Sequence, residues 1–515
     1  MTGRDTLWVA AAIATALAVG CGSSDSTEPA TRDGSHGVTQ GGPQDIARFR
    51  EIVASGSVPS PDTLDPVGFF AEHAVDLPPA DCGRDVCLHP MLAVAPRFDG
   101  GNWTMAYVGM NSPLDPSTLE RPPLHLVVAY ERTRYTAEQQ EAVETGLDAL
   151  VGQMRPEDRL SLVVFGRNAD VRLRGAEPSR AEVGRALLDA RDGSVSEAAG
   201  LYDAIAVSGR VAQGLEGFDG SSRILLLSSG HADAGITDPE RVLEAAAAYA
   251  QQGTALNVVG IGEDYRPALP QQLGELGIGN WARAEDAADL EEILRAEGAT
   301  TMFPLATGFE LRIEPAAGYG VGRIYGARRA TAQGGEARLG SPALFLGHRT
   351  GADDVEDGRR GGGGGLFVEL LADPAAAADI GAGQPAYTLT ASWTSSTGEP
   401  VSIRRTVVNE LPPAQNPDGM WPSFSAPEHG KPFMMLNMYL ALRATTRFHE
   451  AGDCARSQGV VDMMVPSVEG WQERYDDPDI AADYELLLGL RGNVSASCTQ
   501  RPLEPDYFAG SCMYL

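Results

Sequence analysis

The residues with the clearest chemical potential come directly after a short apolar segment. Residues 124–129 are apolar except for one histidine, and Glu131, Arg132 and Arg134 follow them. A guanidinium group can pair with a carboxylate through two parallel hydrogen bonds. Arginines in this place could therefore bind an acidic group of a partner, or they could pair within the chain with Glu131 or Asp233.

The apolar segment predicts the element that positions these residues. A short apolar run of this kind is typical of a strand buried on both faces, and a helical pattern begins at about Thr136. A central strand that leads into a helix ends at the carboxyl edge of an α/β sheet, where such folds bind ligands. We therefore expect Tyr130 and the residues after it at a binding edge.

The alternation of strand and helix patterns continues to about residue 298. Further strands are predicted at residues 160–165, 169–173, 223–228 and 255–261. Asp238 followed by Pro239 is a typical start of one of the intervening helices. The pattern predicts an α/β domain with a doubly wound, mostly parallel sheet that helices cover on both faces.

Several local segments in this region resemble those of bacterial lipoproteins that carry a von Willebrand factor type A (vWA) domain. They are Arg155-Pro156-Glu157-Asp158-Arg159, Leu201-Tyr202-Asp203-Ala204-Ile205, Thr237-Asp238-Pro239-Glu240 and Val259-Gly260-Ile261-Gly262. The pattern between Phe49 and Phe70 is also similar to the leader of such lipoproteins. The resemblance covers about residues 45–350 and implies a vWA, Rossmann-like sheet.

The same resemblance predicts that the metal site typical of this family has been lost from this chain. Most vWA domains bind Mg²⁺ at the carboxyl edge through an Asp-x-Ser-x-Ser, a Thr and a second Asp. In that order, these positions correspond to Tyr130, Arg132, Arg134, Ala199 (or Val195) and Ser229. Magnesium requires hard oxygen ligands, and a guanidinium group repels a cation. The resemblance therefore implies a degenerate metal-ion-dependent adhesion site that holds no metal.

Three roles remain open for this altered edge. It could be an inert surface, Arg132 or Arg134 could bind a partner's carboxylate directly, or the arginines could pair internally. A divalent metal held by replaced ligands is a further alternative. We predict no bound cofactor.

Other motifs give weak evidence for catalysis. Gly260-Ile261-Gly262 lacks the third glycine of a nucleotide-binding loop. Ser228 and Ser229 lie near His231 and Asp233, but the segment is not the Gly-x-Ser-x-Gly of a hydrolase. We therefore assign no catalytic residues and predict that the protein is not an enzyme. An exported enzyme with an unrecognised active site is the alternative.

The first 43 residues predict export and anchoring. Residues 1–21 have an apolar core that is too short to span a bilayer, and they end in Leu17-Ala18-Val19-Gly20-Cys21. This ending resembles a lipoprotein signal in which Cys21 is lipidated. The polar, Gly- and Ser-rich residues 22–43 predict a flexible tether. The residue after Cys21 is Gly22 and not the aspartate that favours retention in the inner membrane. We therefore expect the protein to be anchored in the outer membrane.

Composition limits the partners of the protein. The 515 residues carry a net charge of −30, and Lys431 is the only lysine. An acidic surface repels nucleic acid, whose phosphates require basic contacts. We therefore expect partners among other proteins of the cell envelope, and contact with the membrane only through the lipid anchor.

The remaining chain predicts three regions around the α/β domain (121–298). Residues 44–120 have mixed helix and strand patterns, 299–412 predict an antiparallel β-sandwich, and 413–515 predict helices. Strands at 88–94 and 103–108 could pair with each other or complete the sandwich. Cys82 and Cys87 can close a small loop, while Cys454 could pair with Cys498 or Cys512.

The combined prediction is a membrane-anchored, non-enzymatic lipoprotein of the cell envelope. Its vWA domain would bind other proteins or act as a scaffold without a metal. The sequence does not name the partner.

Overall fold

The structure is a computed structural model. It describes residues 36–41, 45–96, 98, 102–114, 121–133, 136–191, 197–262, 264–276, 279–284, 287–296, 304–347, 363–373, 375, 383–409 and 430–498. The predictions for the signal segment and for Cys21, Arg134, Val195 and Cys512 lie outside these residues.

The N-terminal part of the described chain mixes strands and short helices. In chain order these elements are β1 (His36–Thr39), α1 (Ala47–Ala54), α2 (Pro66–Ala71), β2 (Cys87–Pro96) and β3 (Asn102–Ser112). Asp65 caps α2 by accepting a hydrogen bond from the Gly68 backbone N–H. The Cys82–Cys87 disulfide closes the predicted loop before β2.

The α/β domain follows with six strands. They are β4 (Leu124–Glu131), β5 (Arg159–Phe165), β6 (Ala169–Ala176), β7 (Ser221–Ser228), β8 (Ala255–Gly260) and β9 (Trp281–Arg283). Their order in the sheet is β6-β5-β4-β7-β8-β9, and every neighbouring pair is parallel except β5 with β6. The chain thus starts in the middle of the sheet, builds one half and then returns to build the other. The predicted α/β sheet is present, and it is mixed, with β6 antiparallel to its neighbour.

Six helices accompany the sheet, and the sequence explains several of their ends. They are α3 (Ala137–Gly152), α4 (Arg180–Arg191), α5 (Leu201–Gln213), α6 (Pro239–Gln251), α7 (Ala268–Gly274) and α8 (Ala287–Ala296). Thr136 and Gln139 form a capping box at α3, and Asp238 caps α6. Alternate residues of β4 enter two separate cores, so the strand is buried on both faces as predicted.

Seven antiparallel strands come next. They are β10 (Ala306–Pro315), β11 (Tyr319–Tyr325), β12 (Arg329–Gln333), β13 (Glu336–Leu346), β14 (Gly365–Ala372), β15 (Pro385–Ser395) and β16 (Pro400–Val408). One group of strands is ordered β11-β14-β3-β2, and the other β12-β13-β10-β15-β16. Val108 and Leu366 of the first group share a core with Leu311 and Leu389 of the second. The N-terminal strands pair with each other and also with β14 of this domain, so both predicted alternatives occur together. The α/β domain is inserted between β3 and β10.

The short strand β1 corrects the predicted tether. It pairs with β3 through Gly37 and Asn111 and with β13 through Val38 and Leu346. Val38 is fully buried. Residues 36–41 are therefore part of the fold, and any tether before them is shorter than the predicted 22–43. Four residues are too few to give a strand periodicity, so the sequence pattern did not reveal β1.

Three long helices, α9 (Gly430–Glu450), α10 (Cys454–Gln472) and α11 (Pro478–Ser497), end the described chain. They share a core with α1 and α2, in which Phe49 and Phe69 lie among the buried side chains of α9 and α11. The disulfide joins Cys454 to Cys498, the first of the two predicted alternatives. The separately predicted regions 44–120 and 413–515 thus share one helical layer.

Buried ion pairs connect the N-terminal helical segment of this layer with its C-terminal helices. The Arg50 Nη2 atom lies 2.6 Å from Glu72 Oε2 and 3.1 Å from Asp483 Oδ1. The His73 Nε2 atom lies 2.8 Å from Asp483 Oδ2, and Lys431 Nζ lies 2.6 Å from Asp479 Oδ2. Each of these carboxylates is fully buried and is paired, as burial of a charge requires.

None of the helices in the described ranges is both long and apolar enough to cross a membrane.

A buried ion pair at the start of the α/β domain gives a testable prediction. Asp158 accepts two hydrogen bonds of 2.6 Å from Arg121, and one each from the backbone N–H groups of Leu124 and Arg155. Burial raises the pKa of Asp158, but these donors outweigh it and hold the pKa below its ordinary value. We expect Asp158→Asn to lower the free energy of unfolding by roughly 3 kcal/mol.

The pH dependence of this difference in the free energy of unfolding follows from the lowered pKa of Asp158. A carboxyl group with a lowered pKa stabilises the fold above its unfolded pKa, and this contribution is lost as pH falls through the folded pKa. Urea unfolding of both proteins should give a constant difference at neutral pH that shrinks below about pH 3.8. A difference that stayed constant under acid conditions would contradict the assignment.

Candidate functional site

The candidate site lies where the two central strands of the α/β sheet end. Tyr130 of β4 is in register with Leu227 of β7, so the next residues, Glu131 and Ser228, end these strands side by side. Glu131 and Ser228 are both fully buried. The strand extends to Glu131, two residues beyond the predicted segment, and this extension determines which side chains face the loops above the sheet.

The Glu131 carboxylate is the centre of a hydrogen-bonded cluster. Its Oε2 atom accepts from the Ser228 hydroxyl at 2.7 Å and from the Ser229 backbone N–H at 2.8 Å. Its Oε1 atom accepts from the Ser229 hydroxyl at 2.7 Å and from the Thr133 hydroxyl. Two carboxylate oxygens therefore take four donors, which satisfies the charge without a cation or a basic side chain.

Backbone hydrogen bonds join the loops around this cluster. The Arg132 N–H donates to Phe165 O at 2.7 Å, and the Arg266 N–H donates to Ser229 O at 2.9 Å. Gly230 has a φ of +76°, and a Cβ atom there would lie 2.2 Å from Arg266 O, so only glycine fits between these loops.

Asp233 fixes a further loop at the same edge. Its Oδ1 atom accepts from the Ala199 N–H at 2.6 Å, while Ala199 O accepts from the N–H groups of Asp233 and Ala234 at 3.1 Å. The loop before α5 is thereby tied to the loop after β7. The edge is closed by contacts between its own loops.

The structure corrects the prediction that Tyr130, Ala199 and Ser229 form a partner-binding surface at this edge. Tyr130 is 4% exposed and packs into the core beside α3 and α8, while Ala199 and Ser229 are 0% and 1% exposed. None of these three is available to a partner. Arg132 is half-buried, and Arg134 lies outside the described residues. The physical reason is the alternation of a strand, which turns Tyr130 towards the helices and Glu131 towards the loops.

The hard oxygen donors at this edge are hydrogen-bonded to one another. Glu131, Thr133, Ser228 and Ser229 are hard oxygen donors, but the three hydroxyls are committed to the carboxylate and all four residues are buried. Magnesium needs near-octahedral oxygen coordination and keeps several waters, so this buried cluster would have to open to hold it. No group of three or more His, Cys, Asp or Glu side chains suited to a metal occurs in the described part of the chain.

The geometry gives no support to a serine hydrolase at this edge. The Ser229 hydroxyl donates to Glu131, and His231 Nε2 pairs with Asp264 O at 2.8 Å. The His231 Nδ1 atom is 3.8 Å from Asp233 Oδ2, which is too long for an orienting hydrogen bond. A triad needs a nucleophile that donates to its base and a base held by a third group.

Glu131, Thr133 and Ser228 are the site residues that the sequence mapping missed. The mapping began at Tyr130 because the predicted strand ended at residue 129. Glu131 and Thr133 repeat the carboxylate-x-hydroxyl spacing of the family pattern one residue later. Two features of the sequence could have identified this cluster. They are the shifted spacing and the adjacent serines Ser228 and Ser229 at the end of β7.

Comparison with known proteins gives distant similarities. No family model matches the chain. An uncharacterized protein of Escherichia coli (strain K12), YfbK, is 26% identical over 178 residues, which are 33% of this chain and 30% of the relative. The match therefore spans less than a third of that relative's length.

Two solved structures resemble larger parts of the chain. A von Willebrand factor type A protein from Catenulispora acidiphila has a TM-score of 0.47 at 14% identity, over 76% of this chain and 88% of that one. The ArnB paralog VWA2 from Sulfolobus acidocaldarius has a TM-score of 0.41 at 14% identity, over 80% and 99%. Both are similarities of fold at low sequence identity.

Substitution of Glu131 tests the role of the cluster. In Glu131→Ala four donors lose their acceptor, and each buried unsatisfied donor costs about 1–3 kcal/mol. We expect urea unfolding to show a loss of at least about 3 kcal/mol, and a smaller loss for Glu131→Gln, which keeps one amide oxygen as an acceptor.

The matched control is a glutamate outside the cluster. Glu244 on α6 has a side chain that is 73% exposed, so Glu244→Ala should change the free energy of unfolding by less than about 0.5 kcal/mol. Equal stability of the Glu131→Ala and Glu244→Ala proteins would show that the cluster does not hold the strands.

Proposed function

We propose that the protein is a non-enzymatic, protein-binding scaffold of the cell envelope, whose vWA-like domain acts without a metal ion. The observation that carries this proposal is the closed Glu131 cluster at the carboxyl edge. A metal-dependent vWA site needs oxygen ligands that a cation and a partner can share. Here the corresponding oxygens are engaged with one another.

Direct charge pairing is the proposed way in which this edge binds a partner. Arg132 is half-buried beside the cluster, and Arg134 follows it in the sequence. A guanidinium group on the rim of an interface can bind an aspartate or glutamate of the partner with two hydrogen bonds. The cluster would then act as a rigid base that fixes the segment carrying the arginines.

Anchoring through Cys21 is the proposed route to the envelope. The lipobox-like ending at Cys21 and the polar residues after it support a lipid anchor on a short tether. Since β1 begins at His36, the proposed tether would comprise about residues 22–35. The lack of an aspartate after Cys21 supports the outer membrane as its location.

A crosslinking pull-down from native envelopes tests this function. We expect Arg132→Ala with Arg134→Ala to deplete specific partners at least about fivefold, because each lost charge pair at an interface weakens binding. The control is Arg241→Ala on α6, whose side chain is 59% exposed and lies on another element. An unchanged partner set in the double variant, with a normal melting temperature, would refute binding through this edge.

A further inference from the structure

A groove of about 560 Å³ lies in the β domain, on another domain from the edge described above. One wall consists of residues 88–94 of β2, and the other of residues 405–408 of β16 with Asn409 after it. The groove is also lined by Pro78, Pro79, Asp81 and Cys82. A groove of this size falls in the range of ligand-binding sites.

Both walls of the groove are edge strands. In the described sheet, β2 pairs only with β3 and β16 pairs only with β15. The outer side of an edge strand presents backbone N–H and C=O groups that can pair with another extended chain. The outer side of such a strand can therefore pair with an added polypeptide strand.

The two edges are not equally suited to such pairing. Pro90 lies within β2 and has no backbone N–H, which interrupts the hydrogen bonds that this edge could donate. In addition, Met91 O already accepts from the Tyr387 hydroxyl at 3.0 Å. No proline interrupts β16 after its first residue, Pro400. An added strand would therefore pair with β16.

Arg405 places a basic side chain on the β16 wall of the groove. Val401, Ile403 and Val407 of β16 pack against the core of the β domain, and Arg405 occupies the same alternate position between them. Its Nη1 atom is 3.5 Å from Leu88 O, a distance at the limit for a hydrogen bond. A cation thus lines the groove where an apolar side chain would otherwise face the core.

We propose that this groove binds an extended acidic segment of a partner protein, which adds as a strand to β16 and pairs a carboxylate with Arg405. Backbone pairing supplies affinity, and the guanidinium selects an acidic side chain. Because the chain has a net charge of −30, acidic peptides are repelled in general. Binding of an acidic peptide would therefore require the direct contact with Arg405, because the overall charge of the chain opposes it.

Fluorescence anisotropy with labelled hexapeptides tests the proposal on the full chain. The probes are (Val-Glu)₃, (Val-Gln)₃ and (Val-Lys)₃, which share strand propensity and differ in charge. We expect (Val-Glu)₃ to bind best, Arg405→Glu to weaken it at least about tenfold, and the same variant to gain affinity for (Val-Lys)₃. The gain of binding shows that the variant is folded.

Two controls separate the groove from general charge effects. Arg404 is the neighbouring residue, with a side chain that is 67% exposed, and Arg404→Glu should change the affinity for (Val-Glu)₃ by less than about twofold. A (Val-Glu)₃ peptide with N-methyl groups on every residue should not bind, since neither of its edges can donate to the strand ladder. Equal binding by Arg405→Glu or by the N-methylated peptide, or no binding of (Val-Glu)₃ to the unsubstituted chain, would overturn the proposal.

Discussion

A buried carboxylate must find hydrogen-bond donors, and Glu131 finds four of them at the end of the central strand. The donors come from its own segment, from Ser228 at the end of β7 and from Ser229 directly after it, so the carboxylate joins the two middle strands of the sheet. The loop after β8 is connected in turn through Arg266 and Ser229. The shape of the carboxyl edge thus depends on a single charge that is satisfied by hydroxyl and amide groups.

The inserted domain is held by the parts of the chain on both sides of it. Arg283 of β9 pairs with Glu51 of α1, and its guanidinium lies 5.6 Å from the centre of the Tyr265 ring. Tyr265 also accepts a 2.6 Å hydrogen bond from the Trp281 indole. The α/β sheet therefore contacts the helical layer through its β9 side, close to the loop that approaches the Glu131 cluster.

The sequence predicted the α/β domain well because its strands are apolar runs and its helices have clear caps, such as Asp238 before Pro239. It did not predict the role of Glu131, because the family pattern was placed one residue too early, on Tyr130, and successive residues of a strand face opposite sides. The joining of α1 with α11 and the role of β1 depend on contacts between residues far apart in the chain. Local periodicity carries no information on such contacts, and the structure was needed to find them.

The most direct test of the metal-free edge is isothermal titration calorimetry with Mg²⁺ and Mn²⁺ on the full chain and on Glu131→Gln. If the oxygens of the cluster are committed to one another, neither protein will give a one-site binding isotherm at millimolar metal. A stoichiometric isotherm for the unsubstituted chain that disappears in Glu131→Gln would contradict the account, because it would show that the cluster opens to hold a cation.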